Sequence, residues 1–124
     1  MPHASCSFEL RELMRKVSET ARLDAADLRE GDRVLIRAGG QEIRCDVVSP
    51  TTGRIMCTST GAWGIHAHLT DAWGSTMHAR GLSIRYHVWI LGSRFVLGAL
   101  YAPPIERITL NGFDLTHPAA GQLQ

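Results

Sequence analysis

The sequence lacks long hydrophobic runs, blocks of like charge and a surplus of either charge sign. Thirteen Lys and Arg residues face twelve Asp and Glu residues, so the formal net charge is +1. A non-specific nucleic-acid-binding protein carries a clear basic surplus, and nucleic acid is therefore not an expected partner. No segment approaches the roughly 18 consecutive apolar residues that span a bilayer, and the first residues lack the apolar stretch of a secretory signal. We expect a cytoplasmic protein with no membrane partner.

Cysteine is scarce and unevenly spaced. The three cysteines, Cys6, Cys45 and Cys57, are an odd number at scattered positions, which favours reduced thiols over a disulfide framework. Cys45 and Cys57 can face each other across neighbouring strands, and their expected state is that of buried, inert thiols.

The signatures of common enzyme classes are also missing. There is no Gly-x-Ser-x-Gly nucleophile motif, no P-loop and no dinucleotide-binding fingerprint. The acidic residues Asp46, Asp71, Glu106 and Asp114 form no spaced pair for general acid and base catalysis. The sequence thus favours a protein that is not an enzyme, and it predicts no catalytic residue.

What is present indicates one globular domain over residues 1–124, with 44% hydrophobic residues to build a core. Over residues 7–23, apolar side chains recur every three or four positions, which predicts an amphipathic helix capped by Ser7. Because its opposite face is polar, we expect this helix to pack on a sheet or on a partner subunit. The segment Asp24–Asp27 predicts one further helical turn. The apolar positions of the helix are Leu10, Leu13, Met14, Val17 and Ala21.

From Arg33 onward the apolar period changes to two, which is typical of strands. Turn signals at Gly39-Gly40 and Pro50–Gly53 divide this part into three strands that form a predicted β-meander. The three strands cover residues 33–38, 42–48 and 54–58.

Three more strands are predicted at Leu82–Ile90, Phe95–Tyr101 and Ile105–Leu110. Pro103-Pro104 separates the last two, because proline donates no hydrogen bond to a strand ladder. We expect the last strand to pair with an early one. The predicted fold is mainly β with an N-terminal α-helix: a small, partly closed antiparallel β-barrel of about six or seven strands. The barrel covers residues 33–110, and a tail follows over residues 113–124.

The histidines suggest one candidate site. His66 and His68 are two residues apart, so on a strand they share a face and can hold one metal ion together. The pair resembles the first metal motif of the cupins, although Asp71 lies nearer than the glutamate of that family. The resemblance implies a divalent-metal-dependent barrel enzyme, with His78 or His87 as the third ligand. The alternative is a set of polar histidines on a solvated or half-buried strand.

Two arginines suggest another candidate site. Arg33 and Arg37 form an Arg-x-x-x-Arg motif, which Thr58-Ser-Thr-Gly61 follows along the chain. This pattern resembles the PilZ domains, small β-barrels that bind cyclic diguanylate through such a pair and a downstream Asp/Asn-x-Ser-x-x-Gly. Met56 and Thr58 stand where that family has Asp or Asn and Ser. The resemblance implies a nucleotide sensor, whereas the alternative places both arginines on the exposed side of an amphipathic strand.

Trp63 and Trp73 each lie beside a glycine in a predicted loop region, where an exposed ring can stack on a base, a sugar or a peptide. Core packing is an equal alternative for each ring. Trp89 lies on the less apolar face of its strand, and we expect it to cover a groove or a subunit interface.

A further resemblance rests on four segments: Leu28–Arg37, Gln41–Val48, Gly81–Tyr86 and Pro103–Thr109. Together they resemble a set of short bacterial proteins without an assigned activity, which open with a Leu-x-x-Gly-Asp-x-Val strand. The resemblance implies a small β-barrel and assigns no chemistry.

These patterns together favour a non-catalytic binding or adaptor module that forms a homo-oligomer. Its ligand would be a small molecule or a peptide held by Trp63, Trp73, Arg33 and Arg37. No cofactor is expected, apart from the divalent metal that the histidine alternative requires.

Overall fold

The computed structural model of the chain describes residues 3–59, 67–77, 84–98 and 100–116. It is mainly β with one N-terminal helix, which confirms the predicted fold class. The elements in chain order are α1 (His3–Thr20), β1 (Arg22–Asp24), a 3-10 helix (Ala25–Asp27), β2 (Arg33–Ala38), β3 (Gln41–Ser49), β4 (Arg54–Ser59), β5 (His68–Thr70), β6 (Trp73–Thr76), β7 (Ile84–Tyr86), β8 (Val88–Ile90), β9 (Arg94–Leu97), β10 (Leu100–Leu110) and β11 (Phe113–Asp114).

Helix α1 packs one apolar side against the core, as its periodicity predicts. Met14 and Val17 are buried, and the half-buried Leu10 and Leu13 pack against the core. Burial of this side, rather than helix propensity, stabilises an amphipathic helix on a sheet. Among the described residues, neither α1 nor any other helix is long and apolar enough to cross a membrane.

The bounds of α1 differ from the predicted range 7–23. The helix covers His3–Thr20, so Ser7 lies inside it and is not its N-cap. It ends because Ala21 adopts φ +58° and the chain then enters β1. The predicted extra turn is confirmed as the 3-10 helix Ala25–Asp27.

Strands β2, β3 and β4 form the predicted meander, with neighbouring strands antiparallel. Gly39 and Gly40 join β2 to β3 with φ +60° and +78°, the left-handed values that a two-residue hairpin needs and that glycine adopts without strain. Buried and exposed positions alternate along β2 and β3, so the period of two predicted both the strands and their inward faces.

Strand β10 runs unbroken from Leu100 to Leu110, so the predicted break at Pro103-Pro104 is wrong. Its first half pairs with β9 and its second half with β2. The register to β9 shifts between Tyr101 and Pro104, and a strand tolerates residues without an N–H at such an irregularity. The pairing with β2 confirms that the last long strand meets an early one.

The predicted strand Leu82–Ile90 contains two strands in its described part, β7 and β8, separated at His87. His87 has φ +62°, and the pairing changes there: β7 pairs with β6, whereas β8 pairs with β1. The prediction that Trp89 lies on the outer, less apolar face of its strand is therefore wrong. Trp89 is fully buried, and Tyr86 is 57% exposed.

The main sheet has the strand order β5-β4-β3-β2-β10-β9-β6-β7, with β11 added on β10. It curls into an antiparallel half-barrel of eight strands, rather than six or seven, which confirms the partly closed barrel. Because only Asp71 and Ala72 link β5 to β6, the edge strand β5 comes within about 11 Å of β6, the strand next to the opposite edge. We call this region the seam and define it by Gly53, Asp71, Trp73 and His87.

The seam is closed by direct contacts between its four residues. The indole N–H of Trp73 donates a hydrogen bond to the carbonyl of Gly53, in the turn between β3 and β4. The ring of His87 packs against Trp73 with 5.4 Å between centroids, and its Nε2 lies 2.8 Å from the carbonyl oxygen of Asp71. These contacts hold the curled ends of the sheet together.

Candidate ligand-binding groove

A groove of about 650 Å³ lies between α1, the 3-10 helix and the turn that joins β10 to β11. Its floor is apolar and its rim is charged. Phe113 also lines the groove, and its side chain remains 48% exposed. The leucines of the floor are Leu10, Leu13, Leu28 and Leu110.

Local sequence explains why these leucines meet. Leu10 and Leu13 are three residues apart on α1 and so lie on the same side of the helix. Leu28 follows the 3-10 helix directly and is buried. Leu110 ends β10 on its inward side, two residues after the buried Ile108.

A tight turn positions Phe113. Asn111 and Gly112 have φ +50° and +91°, and Leu110 pairs directly with Phe113 across them. The Asn111 side chain fixes the turn, since its Oδ1 accepts the Arg33 N–H at 2.8 Å and its Nδ2 donates to Asp32 at 3.0 Å. Phe113 is therefore held beside the groove by Arg33, the first residue of β2, and by Asp32 directly before it.

Lys16 forms a charged cluster at one end of the groove. Its Nζ donates to Asp24 Oδ2 at 2.7 Å and also to Asp27, while Arg22 donates to Asp24 Oδ1 at 2.9 Å. Partial burial opposes the charge of Lys16, but these hydrogen bonds outweigh burial and raise the pKa of Lys16. Burial alone would raise the pKa of Asp24, whereas its bonds from Arg22 and Lys16 lower it. The cluster ties α1 to β1 and the 3-10 helix.

A second cavity of about 640 Å³ adjoins the groove and shares Lys16, Ala26 and Leu28 with it. Its other lining is more polar and includes Thr51 and His87. His87 is half-buried, and its ring packs closely on Gly53. A Cβ added at Gly53 would lie 2.4 Å from the His87 ring. In this position His87 serves as a packing residue of the seam.

Trp73 does not form the predicted stacking platform. Trp73 lies on β6, not in a loop, and is fully buried with its ring 4.1 Å from that of Trp89. No face of the Trp73 ring is free for a ligand in this arrangement. The predicted interface role of Trp89 is also wrong, because the kink at His87 turns it into the core. Trp63 lies outside the described residues.

Arg33 and Arg37 lie on the exposed face of β2, four residues apart along the strand. Each has an acidic neighbour: Arg33 Nε is 3.0 Å from Asp46 Oδ1, and Arg37 Nε is 3.9 Å from Glu106 Oε1. Neither arginine lines the groove. Nucleotide binding by this pair stays a prediction.

The histidine candidates are not brought together in the described part of the chain. His68 is exposed on β5, whereas His66 and His78 lie outside the described residues. Residues 3–59, 67–77, 84–98 and 100–116 contain no group of three or more His, Cys, Asp or Glu side chains that could hold a metal ion. Metal binding by His66, His68 and His78 stays a prediction.

The groove does not follow from the sequence, because its lining comes from distant parts of the chain. One signal was present in the sequence: Phe113 is a large aromatic residue placed directly after the Asn111-Gly112 turn. Phe113 is assigned to a predicted tail over residues 113–124, so it is not recognised as a site residue. In the structure, β11 and the buried Leu115 belong to the fold.

Searches against protein-family models, curated proteins and solved structures gave no match to this chain. The resemblances to small bacterial β-barrels, to PilZ domains and to cupins are therefore neither supported nor contradicted.

Proposed function

We propose that this chain is a non-catalytic binding module that holds a small, largely apolar molecule in the groove beside α1. The observation that carries the proposal is the exposed ring of Phe113 next to a floor of leucines. Pockets for small molecules occupy about 300–1,000 Å³ and are lined mainly by apolar and aromatic side chains. The groove, at about 650 Å³, falls within that range.

The charges on the rim argue for a ligand without a strong charge of its own. The rim side chains Glu12, Lys16, Asp27 and Asp32 each have a partner of opposite sign or a hydrogen-bond donor from the protein, so a charged ligand would compete with an existing contact. These contacts join Lys16 to Asp24 and Asp27, Arg15 to Glu12, and both the Arg29 N–H and Asn111 to Asp32.

Phe113 supplies the largest ligand contact. A ring that is about half exposed buries the rest of its surface when an apolar molecule covers it, and aromatic pairs gain further from ring packing. The tight turn fixes the backbone at Phe113 before the ligand arrives, so little backbone conformational entropy is lost on binding.

The test uses the neutral fluorescent dye N-phenyl-1-naphthylamine, titrated against the full chain. We expect saturable binding that the Phe113→Ala variant weakens about tenfold, since about 1.4 kcal/mol of contact is lost. Tyr86→Ala is the matched control, because Tyr86 is similarly exposed but lies on β7 and does not line the groove. Non-saturable dye binding, or equal binding by both variants, would contradict the proposal.

The homo-oligomer predicted from the sequence stays a prediction and is tested separately. Light scattering coupled to size-exclusion chromatography distinguishes the 13.6 kDa single chain from a dimer. The proposed groove requires only one copy of the chain, so either result leaves the ligand-binding proposal to the dye experiment.

A further inference from the structure

Cys45 on β3 and Cys57 on β4 lie directly opposite each other on neighbouring strands. Their Sγ atoms are 3.7 Å apart, and neither side chain is exposed to solvent. The facing arrangement predicted from the sequence is therefore confirmed. The contact makes these residues a pair of thiols, rather than two separate apolar side chains in the core.

The backbone hydrogen bonds show which kind of cross-strand pair this is. Val47 donates its N–H to Asp32 and accepts the N–H of Gly31, so its peptide groups point to the β2 side of β3. Residues two apart on a strand point their peptide groups the same way, and Cys45 therefore also turns its backbone toward β2. Cys45 and Cys57 thus form a non-hydrogen-bonded pair, in which Cα atoms are about 4.5 Å apart and side chains approach most closely.

This arrangement meets the geometric requirements of a disulfide. Bridged cysteines have Cα atoms about 4.4–6.8 Å apart and Cβ atoms on the same side. We propose that Cys45 and Cys57 form a reversible intramolecular disulfide when the folded protein meets hydrogen peroxide. The site is then a redox-sensitive crosslink between β3 and β4, independent of the ligand groove.

The chemistry balances with peroxide as the only oxidant. The thiolate of one cysteine attacks peroxide; an S–O bond forms, the O–O bond breaks, and hydroxide leaves and takes up a proton as water. The second thiolate attacks the resulting sulfenic acid; the S–S bond forms and a second hydroxide leaves as water. Two thiols and one peroxide thus give one disulfide and two waters.

Burial makes this reaction slow at neutral pH and selective for a small oxidant. Burial and the adjacent Cys57 thiol raise the pKa of Cys45 well above its ordinary value, so little of Cys45 is present as the thiolate. The oxidation rate is expected to rise with pH. Hydrogen peroxide is small enough to enter through local opening of β4, whose outer neighbour β5 is only three residues long.

The experiment uses the full chain with Cys6→Ser, which leaves only the proposed pair. The folded protein is treated with hydrogen peroxide, and free thiols are counted after unfolding and alkylation. This count is insensitive to oxidation of the exposed Met77. Arg54 lies between the two cysteines, so trypsin places them on separate peptides and a disulfide appears as a crosslinked peptide pair.

We expect both thiols to disappear together, to return on reduction, and to leave a crosslinked peptide pair. The crosslink closes the loop of residues 45–57 and is expected to raise the melting temperature by on the order of 10 °C. The Cys57→Ala variant in the same background is the matched control and should show neither change. Thiols that survive in the folded protein but not in urea, or oxidation without a crosslink, would overturn the proposal. Because the decisive measurement uses the native pair, the result stands even where the control variant folds poorly.

Discussion

The meander, β2 to β4, and the switched strands, β7, β8 and β10, are built in different ways. Each strand of the meander keeps the same neighbours along its length and is joined to the next by a short turn. The chain through β7 and β8 changes partner at His87, and β10 changes partner near Pro103-Pro104. The alternation of apolar residues predicts the buried face of a strand only where that strand pairs with the same neighbouring strands along its whole length. Where the pairing changes to another strand, the side chains are reoriented.

Apart from the pairing of β2 with β10, the two regions meet at the seam, where Gly53 of the meander contacts His87, which lies between β7 and β8, and Trp73 of the neighbouring β6. The largest expected effect comes from removing the ring that joins them. Trp73→Ala is expected to lower the free energy of unfolding by about 4 kcal/mol, since the ring is fully buried and its N–H holds Gly53. Urea unfolding measures this loss, and Tyr86→Ala, exposed on β7, should stay within about 0.5 kcal/mol of the unaltered chain. A loss below about 1 kcal/mol for Trp73→Ala would mean that the meander holds its shape without the seam.

A pair of glycine variants isolates the contact between the two regions. Gly40 and Gly53 have similar φ values, +78° and +74°, so alanine is strained equally at both. An alanine Cβ at Gly40 meets nothing within 4 Å, whereas at Gly53 it strikes the His87 ring. We expect Gly40→Ala to cost about 1 kcal/mol and Gly53→Ala about 1–2 kcal/mol more. Equal midpoints in urea would show that His87 moves aside freely and does not join the regions.

The Lys16 cluster attaches α1 to β1, and hence to β8 of the switched strands. The lowered pKa of Asp24 stabilises the fold above its unfolded pKa, near 4, and that stability is lost as the pH falls through the lower, folded-state value. Asp24→Asn is expected to cost about 1 kcal/mol at pH 7 and progressively less below about pH 4. Glu30→Gln, another carboxyl change at an exposed position, is the control for urea titrations across this range. The same pH dependence in both variants would contradict the role of the cluster.

The smallest effect is expected on the outer face of the meander. Arg33 pairs with Asp46 at 3.0 Å, but its side chain is 56% exposed, and such surface pairs contribute little. Arg33→Gln is expected to change the free energy of unfolding by less than about 0.5 kcal/mol. A much larger loss in urea would show that the β2 register depends on this ion pair, and not on the Gly39-Gly40 turn and the buried face.

The sequence allowed prediction of the features that depend on neighbouring residues. The helical period of α1, the Gly39-Gly40 hairpin and the facing of Cys45 and Cys57 all follow from spacing within one or two elements. The kink at His87 and the continuity of β10 through Pro103-Pro104 did not follow, because both depend on which distant strand supplies the partner.

The candidate groove could not be predicted from the sequence either, because its lining residues are distant from one another in the chain. Leu13 of α1 and Phe113 of β11 are a hundred residues apart in the chain and meet only in the folded protein. Trp73 shows the converse: its glycine neighbour suggested a loop, yet Gly74 lies within β6, where a Cβ would strike the Arg85 carbonyl. That glycine permits close strand approach and marks no bend.

Strand β10 bonds to β9 along its first half and to β2 along its second, so one continuous segment belongs to both halves of the curled sheet. The half that contains β2 and the half that contains β9 share β10, so separating either half breaks backbone pairs of β10. Heat is therefore expected to melt the described fold in a single calorimetric transition. In native-state hydrogen exchange, the amides of residues 107–110, flanked by β2, should be among the slowest to exchange.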